Sequence, residues 1–253
     1  MISQEIFGSP SVLEVENLTV RRGKYVAVDQ VSFQLFSGTN TAIVGPNGAG
    51  KSTLIRAILG LIPSESGQVN ILGKSLNKLG KRWEKIGYIP QKFSFDRYFP
   101  LTVEELVALA LPKSYFWKSR ERKISVQKVL VKVNLEHQSH QRIGTLSGGE
   151  LKRVLLAYCL AVPRDLIILD EALAEVDATG EVEFAELLNK LQREQGFATL
   201  QISHDLDLVS RYCDRVLCLN RKILCQGSPR ETLSNENIQE VYGSTLIRYL
   251  HSH

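Results

Sequence analysis

The chain contains no run of about 18 apolar residues, the length a helix needs to cross a bilayer, so no membrane span is expected. Its start, Met1-Ile2-Ser3-Gln4-Glu5, has no basic stretch followed by an apolar core, which argues against a secretory signal. Charge of either sign is not in large excess: 31 basic and 27 acidic residues leave a net +4. That is too mild for the clustered basic face that nucleic-acid binding wants, so no nucleic-acid partner is expected. Cysteine is scarce, at positions 159, 213, 218 and 225, with no C-x-x-C and apolar neighbours around each. The expectation is buried free thiols in a reducing compartment, not disulfides or a zinc site.

What the chain does have is enough apolar material, 43% over 253 residues, to build the full core of one α/β domain. Its most informative stretch is Gly45-Pro46-Asn47-Gly48-Ala49-Gly50-Lys51-Ser52-Thr53, which fits G-x-x-x-x-G-K-[ST]. Thr41-Ala42-Ile43-Val44 before it reads as a buried strand, and Leu54-Ile55-Arg56-Ala57-Ile58-Leu59 after it as a helix. Glycines let such a loop wrap tightly and turn its N–H groups inward, and the helix start adds a positive dipole end. Lys51 is then expected to reach the β- and γ-phosphates of a nucleotide, and the Ser52 hydroxyl to ligate magnesium.

A second phosphate-side element is Leu166-Ile167-Ile168-Leu169-Asp170-Glu171, a buried strand that delivers two acids to its carboxyl end. Asp170 is expected to hold magnesium through water, and Glu171 to take a proton from, or polarise, an attacking water. Leu146-Ser147-Gly148-Gly149-Glu150 opens another helix and so offers another anion site at a helix N-terminus. Thr102-Val103-Glu104-Glu105 is a capping box that starts a helix through about Leu111, and Ile124 to Val133 has helical apolar spacing. Alternating stretches from Val12 to Val20 and from Val31 to Leu35 suggest an antiparallel β-layer ahead of the loop. Arg215–Leu219 and Lys222–Gln226 read as a terminal hairpin.

Residues 45–53, Leu146-Ser147-Gly148-Gly149-Glu150 and Leu166 to Glu171, in this order and spacing, resemble the ATP-binding cassette (ABC) family over nearly the whole chain. The resemblance implies a phosphate-loop α/β core with an antiparallel β-layer and an inserted helical subdomain. A single domain is expected over 1–253, with 92–145 as the helical subdomain and 228–253 as a helical C-terminal tail. It implies ATP and magnesium as the bound groups, with Tyr25 stacking on adenine and Gln91 joining the magnesium shell. His204, after the strand Phe197 to Ser203, is implied to contact the γ-phosphate and orient the water. Ser147, Gly148, Gly149 and Glu150 are implied to bind the γ-phosphate held by a second copy, in a head-to-tail dimer that clamps the nucleotide. Asp177 would cross that interface.

The family reading adds partners and a location: membrane permease subunits, a substrate-binding protein indirectly, and a peripheral place on the cytoplasmic face of the inner membrane. The aromatic stretch Phe93 to Pro100 either anchors its loop to the core or lines a groove for the membrane subunit. Its Phe-Asp-x-x-Phe-Pro-Leu-Thr-Val wording resembles importers of manganese, zinc or iron. A soluble ABC ATPase of translation or DNA repair is the alternative; such relatives carry tandem cassettes or long arms, for which this chain has no room. Departures from the family pattern are Tyr158-Cys159 where Arg-Ala is frequent, Glu150 for Gln, Ala172 for Pro, and Glu175 for a small residue. Two tail histidines, His251 and His253, have no assigned role.

Overall fold

The computed structural model describes residues 10–96, 98–114, 118–172 and 176–243. Strands β1 (Ser11–Arg22) and β2 (Tyr25–Phe36) form an antiparallel hairpin. A second antiparallel partner, β4 (Ser66–Ile71), and the short β5 (Lys74–Ser75) complete a sheet of order β2-β1-β4-β5. The other sheet is built from β3 (Asn40–Val44), β6 (Ile86–Ile89), β7 (Leu166–Leu169), β8 (Ala198–Ile202), β9 (Arg215–Asn220) and β10 (Lys222–Gly227). Its order is β10-β9-β3-β8-β7-β6, parallel throughout except for β10 on the edge.

β7 shows why the parallel strands are continuous apolar runs: both of its faces are covered. Leu166 and Ile168 enter a core shared with the antiparallel sheet and with α1 (Lys51–Ile58), which supplies Leu54, Ile55 and Ile58. Ile167 and Leu169 enter a second core on the opposite face. That core is closed by α2 (Val103–Ala108), α3 (Ser119–Lys132), α4 (Gly148–Leu160) and α5 (Ala178–Gln195). A third cluster joins Ala42 and Val44 of β3 to Val216 and Cys218 of β9. It is covered by Val209 of α6 (Leu206–Tyr212) and, beyond the one-turn α7 (Pro229–Thr232), by Val241 of α8 (Asn235–Tyr242).

Local signals placed several boundaries. Thr102 and Glu105 cap α2 reciprocally, but the helix stops at Ala108 and not at Leu111. α3 begins at Ser119, ahead of Ile124, because its first turns carry charged residues that show no apolar period. β6 ends at Ile89, since Pro90 has no N–H to continue the ladder, and Gln91 lies two residues beyond its end.

The cysteine expectation is corrected for one pair. Cys218 and Cys225 lie opposite each other on β9 and β10, with Cα atoms 5.0 Å apart, and form a disulfide. Spacing in the chain concealed this, because the hairpin register decides which residues face each other. Cys159 and Cys213 are buried free thiols, pushed up by burial to about 11 and about 12 respectively.

The fold generates a stability prediction at β7. Ile168 is fully buried between α1 and the antiparallel layer. Ile168→Ala should destabilise the chain by about 2–5 kcal/mol and Ile168→Val by about 0.5–1.5 kcal/mol, read by denaturant unfolding.

Candidate active site

β3 ends at Val44, and the chain enters the phosphate loop at Gly45 with φ +152°, leaving it at Gly50 with φ +96°. A Cβ on Gly45 would stand 2.0 Å from the Leu219 carbonyl oxygen, and one on Gly50 2.2 Å from that of Ala27. No side chain fits either gap, so glycine is required by space as well as by conformation. Gly50 caps α1 without a side-chain bond, which leaves the first amides of α1 for an anion. Lys51 is buried, and its ammonium donates to the carbonyls of Gly45 (2.8 Å) and Pro46 (3.1 Å). Burial lowers its pKa, an effect that the charges of Glu171 and Asp170 oppose.

Asp170 directly follows β7 and is fully buried, and its Oδ1 has no hydrogen-bond partner. The Tyr88 hydroxyl donates to Oδ2 at 3.4 Å. Burial raises the Asp170 pKa; the Ser52 hydroxyl bonded to the carboxyl and the nearby Arg56 charge work against the rise. The Tyr88 phenol is itself raised to about 12, by burial first and then by Asp170.

Glu171 has φ +46°, a strained setting for a residue with a Cβ. Its two carboxylate oxygens are held from both sides. Gln91 Nε2 donates to Oε2, and His204 Nε2 donates to Oε1 at 3.0 Å, which requires a proton on that ring nitrogen. Gln91, Glu171 and His204 follow β6, β7 and β8, at the carboxyl ends where open parallel sheets gather their ligands.

Tyr25 opens β2 and is 44% exposed, with the Arg221 guanidinium 4.4 Å from its ring centre. The Arg221 amide donates to the Ala49 carbonyl at 2.8 Å, so the β9–β10 turn ties Tyr25 to the phosphate loop. Ser147 caps α4. Its amide (2.8 Å) and hydroxyl (2.9 Å) donate to Glu150 Oε2, and the Glu150 amide donates back to Ser147 Oγ. Gly148 and Gly149 form the first turn of α4, which is rooted in the core opposite the one that holds α1. The Asp177 carboxylate caps α5 by accepting from the Gly180 amide at 3.2 Å. Glu175, His251 and His253 lie outside the described residues.

Three residues escaped the sequence reading. Tyr88 belongs to no motif that the sequence offers. Lys152 is buried and donates to the carbonyls of Pro90 (3.3 Å) and Gln91 (2.9 Å), joining α4 to the Gln91 segment. Its signal was there: positions 152, 155, 156 and 159 share one helix face, and all four are buried. Arg221 had no local signal.

The family described as ABC transporter matches residues 28–174. The chain belongs to the ABC transporter family. A probable metal transport system ATP-binding protein of Thermotoga maritima is 37% identical to it, covering 91% of this chain and 90% of its own length. A manganese transport system ATP-binding protein of Listeria monocytogenes is 38% identical, covering 94% and 98%. A zinc import ATP-binding protein of Hahella chejuensis is 38% identical, covering 95% and 87%. Among solved structures, an ATP-binding cassette of an ABC transporter superposes with a TM-score of 0.80 at 28% identity, covering 92% and 99%. The protein cbiO1 of Clostridium perfringens, part of the cbiONQ ABC transporter complex, gives 0.77 at 29% identity, covering 95% and 98%. This ABC chain binds nucleotide, and among its described residues no helix is long and apolar enough to cross a membrane.

The buried acid of this ABC site carries a stability consequence. A raised folded pKa means that ionised Asp170 opposes folding at neutral pH, and that acidification through that pKa relieves the burden. Asp170→Asn should therefore raise the melting temperature of the nucleotide-free protein at neutral pH. The same variant should lose about 10²-fold or more in ATP turnover. Thermal denaturation and an ATPase assay on one preparation check both.

Proposed function

We propose that this chain is the ATP-hydrolysing subunit of a multi-chain membrane importer of divalent metal ions, with manganese, zinc and iron as the candidate cargoes. The observation that carries the chemistry is Glu171, strained in its backbone and held between Gln91 and His204 one residue after a buried aspartate. The cargo rests on the relatives named for metal, manganese and zinc transport, each 37% or 38% identical over most of the chain. None of them is named for translation or DNA repair, the alternative reading.

Magnesium fits the residues present: the buried Oδ1 of Asp170 lacks a partner, and Ser52 offers a hydroxyl on the same carboxyl. Ser52, Gln91 and Asp170 would hold it, and when bound it would neutralise charge on the β- and γ-phosphates. The chain's own groups do the rest by positioning and charge. Lys51 exchanges the carbonyls of Gly45 and Pro46 for phosphate oxygens. The amides of residues 45–53 cradle the phosphates, and Tyr25 stacks on the adenine, which contributes about 1–3 kcal/mol. Glu171 accepts the proton of the attacking water, and His204 orients the carboxylate that does so. Gln91, an uncharged amide, releases Glu171 when the γ-phosphate arrives.

Ser147 belongs to a helix packed in a different core from α1, which supports its use by a second copy instead of by its own loop. The nucleotide would then be clamped between two chains arranged head to tail. Residues 92–145 would be the helical subdomain against which permease subunits dock; of the expected tail, 228–253, residues 244–253 lie outside the described residues. The exposure of the aromatic stretch supports a divided role. Phe93 and Phe95 pack on the helical-side core with ring centres 5.5 Å apart, whereas Tyr98 is 91% exposed and Phe99 56%. The outward pair is the permease contact. A substrate-binding protein would deliver the metal on the far side, and the chain would sit peripherally on the cytoplasmic face of the membrane.

Glu171→Gln should keep ATP binding and slow hydrolysis by roughly 10²–10⁴-fold, as removal of a general base does. Turnover at the wild-type rate in that variant would refute the assignment. Tyr98→Ala and Phe99→Ala should leave melting temperature and ATP affinity unchanged. Each should weaken assembly with co-expressed permease at least about tenfold, the loss of an interface anchor. Uptake of manganese, zinc and iron by cells carrying Glu171→Gln in place of the wild-type chain tests the cargo: uptake of at least one should fall.

A further inference from the structure

The Gly45 peptide, at the entrance to the phosphate loop, is engaged on every side. Its Cα faces the Leu219 carbonyl, and its own carbonyl accepts from Lys51. Its amide donates to a side chain far away in sequence, the Tyr242 hydroxyl, at 3.1 Å. Tyr242 is the last residue of α8, within the segment that the sequence marked only as a helical tail. It packs on the cluster that joins Val241 to Ala42 and Val44 of β3, the strand that leads directly into the loop. The Asn220 side chain donates from Nδ2 to the Val241 carbonyl at 3.4 Å, next to the turn whose Arg221 backbone amide holds Ala49. The tail helix is thus bonded to the start of the loop, and shares a core cluster with the strand that carries it.

We propose that Tyr242 is a positioning residue for the phosphate loop, and that α8 is a working part of the nucleotide site. The proposal rests on nucleotide binding by residues 45–53. A loop held in its binding conformation before ligand arrives loses less freedom when ligand binds, and so binds more tightly. By linkage, nucleotide must then stabilise the docked tail to the same degree that the docked tail favours nucleotide. Neither Tyr242 nor α8 need touch the nucleotide for this to hold.

The test uses the whole 253-residue chain. Tyr242→Phe keeps the ring in its cluster and deletes only the hydroxyl. Loss of one neutral hydrogen bond should raise both Kd and KM for ATP about three- to tenfold, with kcat close to wild type. The nucleotide-free melting temperature should fall by no more than about 2–4 °C, as loss of one neutral hydrogen bond requires. In hydrogen exchange, ATP should slow residues 235–242 in the wild type, and do so less in Tyr242→Phe. A Kd within twofold of wild type overturns the proposal. So does a higher Kd with ATP slowing residues 235–242 as much as in the wild type, which would mean that affinity is lost without any coupling to the tail. Lys51→Ala, assayed alongside, separates this from its premise: unchanged ATP affinity in that variant would show that the loop is not the nucleotide site at all.

Discussion

Two main-chain carbonyls, those of Ala27 and Leu219, press so closely on Gly50 and Gly45 that neither position has room for a Cβ. One carbonyl belongs to the antiparallel layer and the other to the parallel sheet. The phosphate loop is therefore shaped by the meeting of two sheets, not by its own sequence alone. α1 fills the space between them, and its apolar side sets how closely they approach. The loop glycines supply the freedom to bend, and the surrounding backbone removes that freedom again.

The site keeps features that folding alone would not select. An acid is fully buried with one oxygen unpartnered, and the next residue sits at φ +46° although it is not glycine. A lysine is folded onto backbone carbonyls, with burial pulling its pKa down. Each opposes stability locally, and each is held by a core that surrounds it. Such concentration of local cost at one end of a sheet is how a binding and catalytic surface differs from an ordinary loop cluster.

What was legible in the sequence is what depends on near neighbours. The phosphate loop, the acids after an apolar strand, and the cap Thr102 with Glu105 all close within a few positions. The α/β class was expected from length and apolar content, and its phosphate-loop core from the resemblance those motifs carry. Contacts set by register or by docking were not legible. The Cys218–Cys225 bond needs the hairpin register, and the bond from Gly45 to Tyr242 spans 197 positions. Asp177 was marked through family resemblance for a role between subunits, whereas within the chain it caps α5. Lys152 lay between these cases: its helix face predicts burial, but nothing near it predicts that it bonds the carbonyl of Gln91.

β7 is only Leu166–Leu169, yet alternate residues of it belong to two different cores. It is a party wall: neither room can be rebuilt without regard to the other. A chimera that borrows the helical side from a relative inherits the shape demanded by Ile167 and Leu169, while Leu166 and Ile168 still answer to the recipient's α1. Exchange of modules between members of the family is therefore constrained along this strand, and compatible grafts should be chosen by matching its four side chains before any surface is considered.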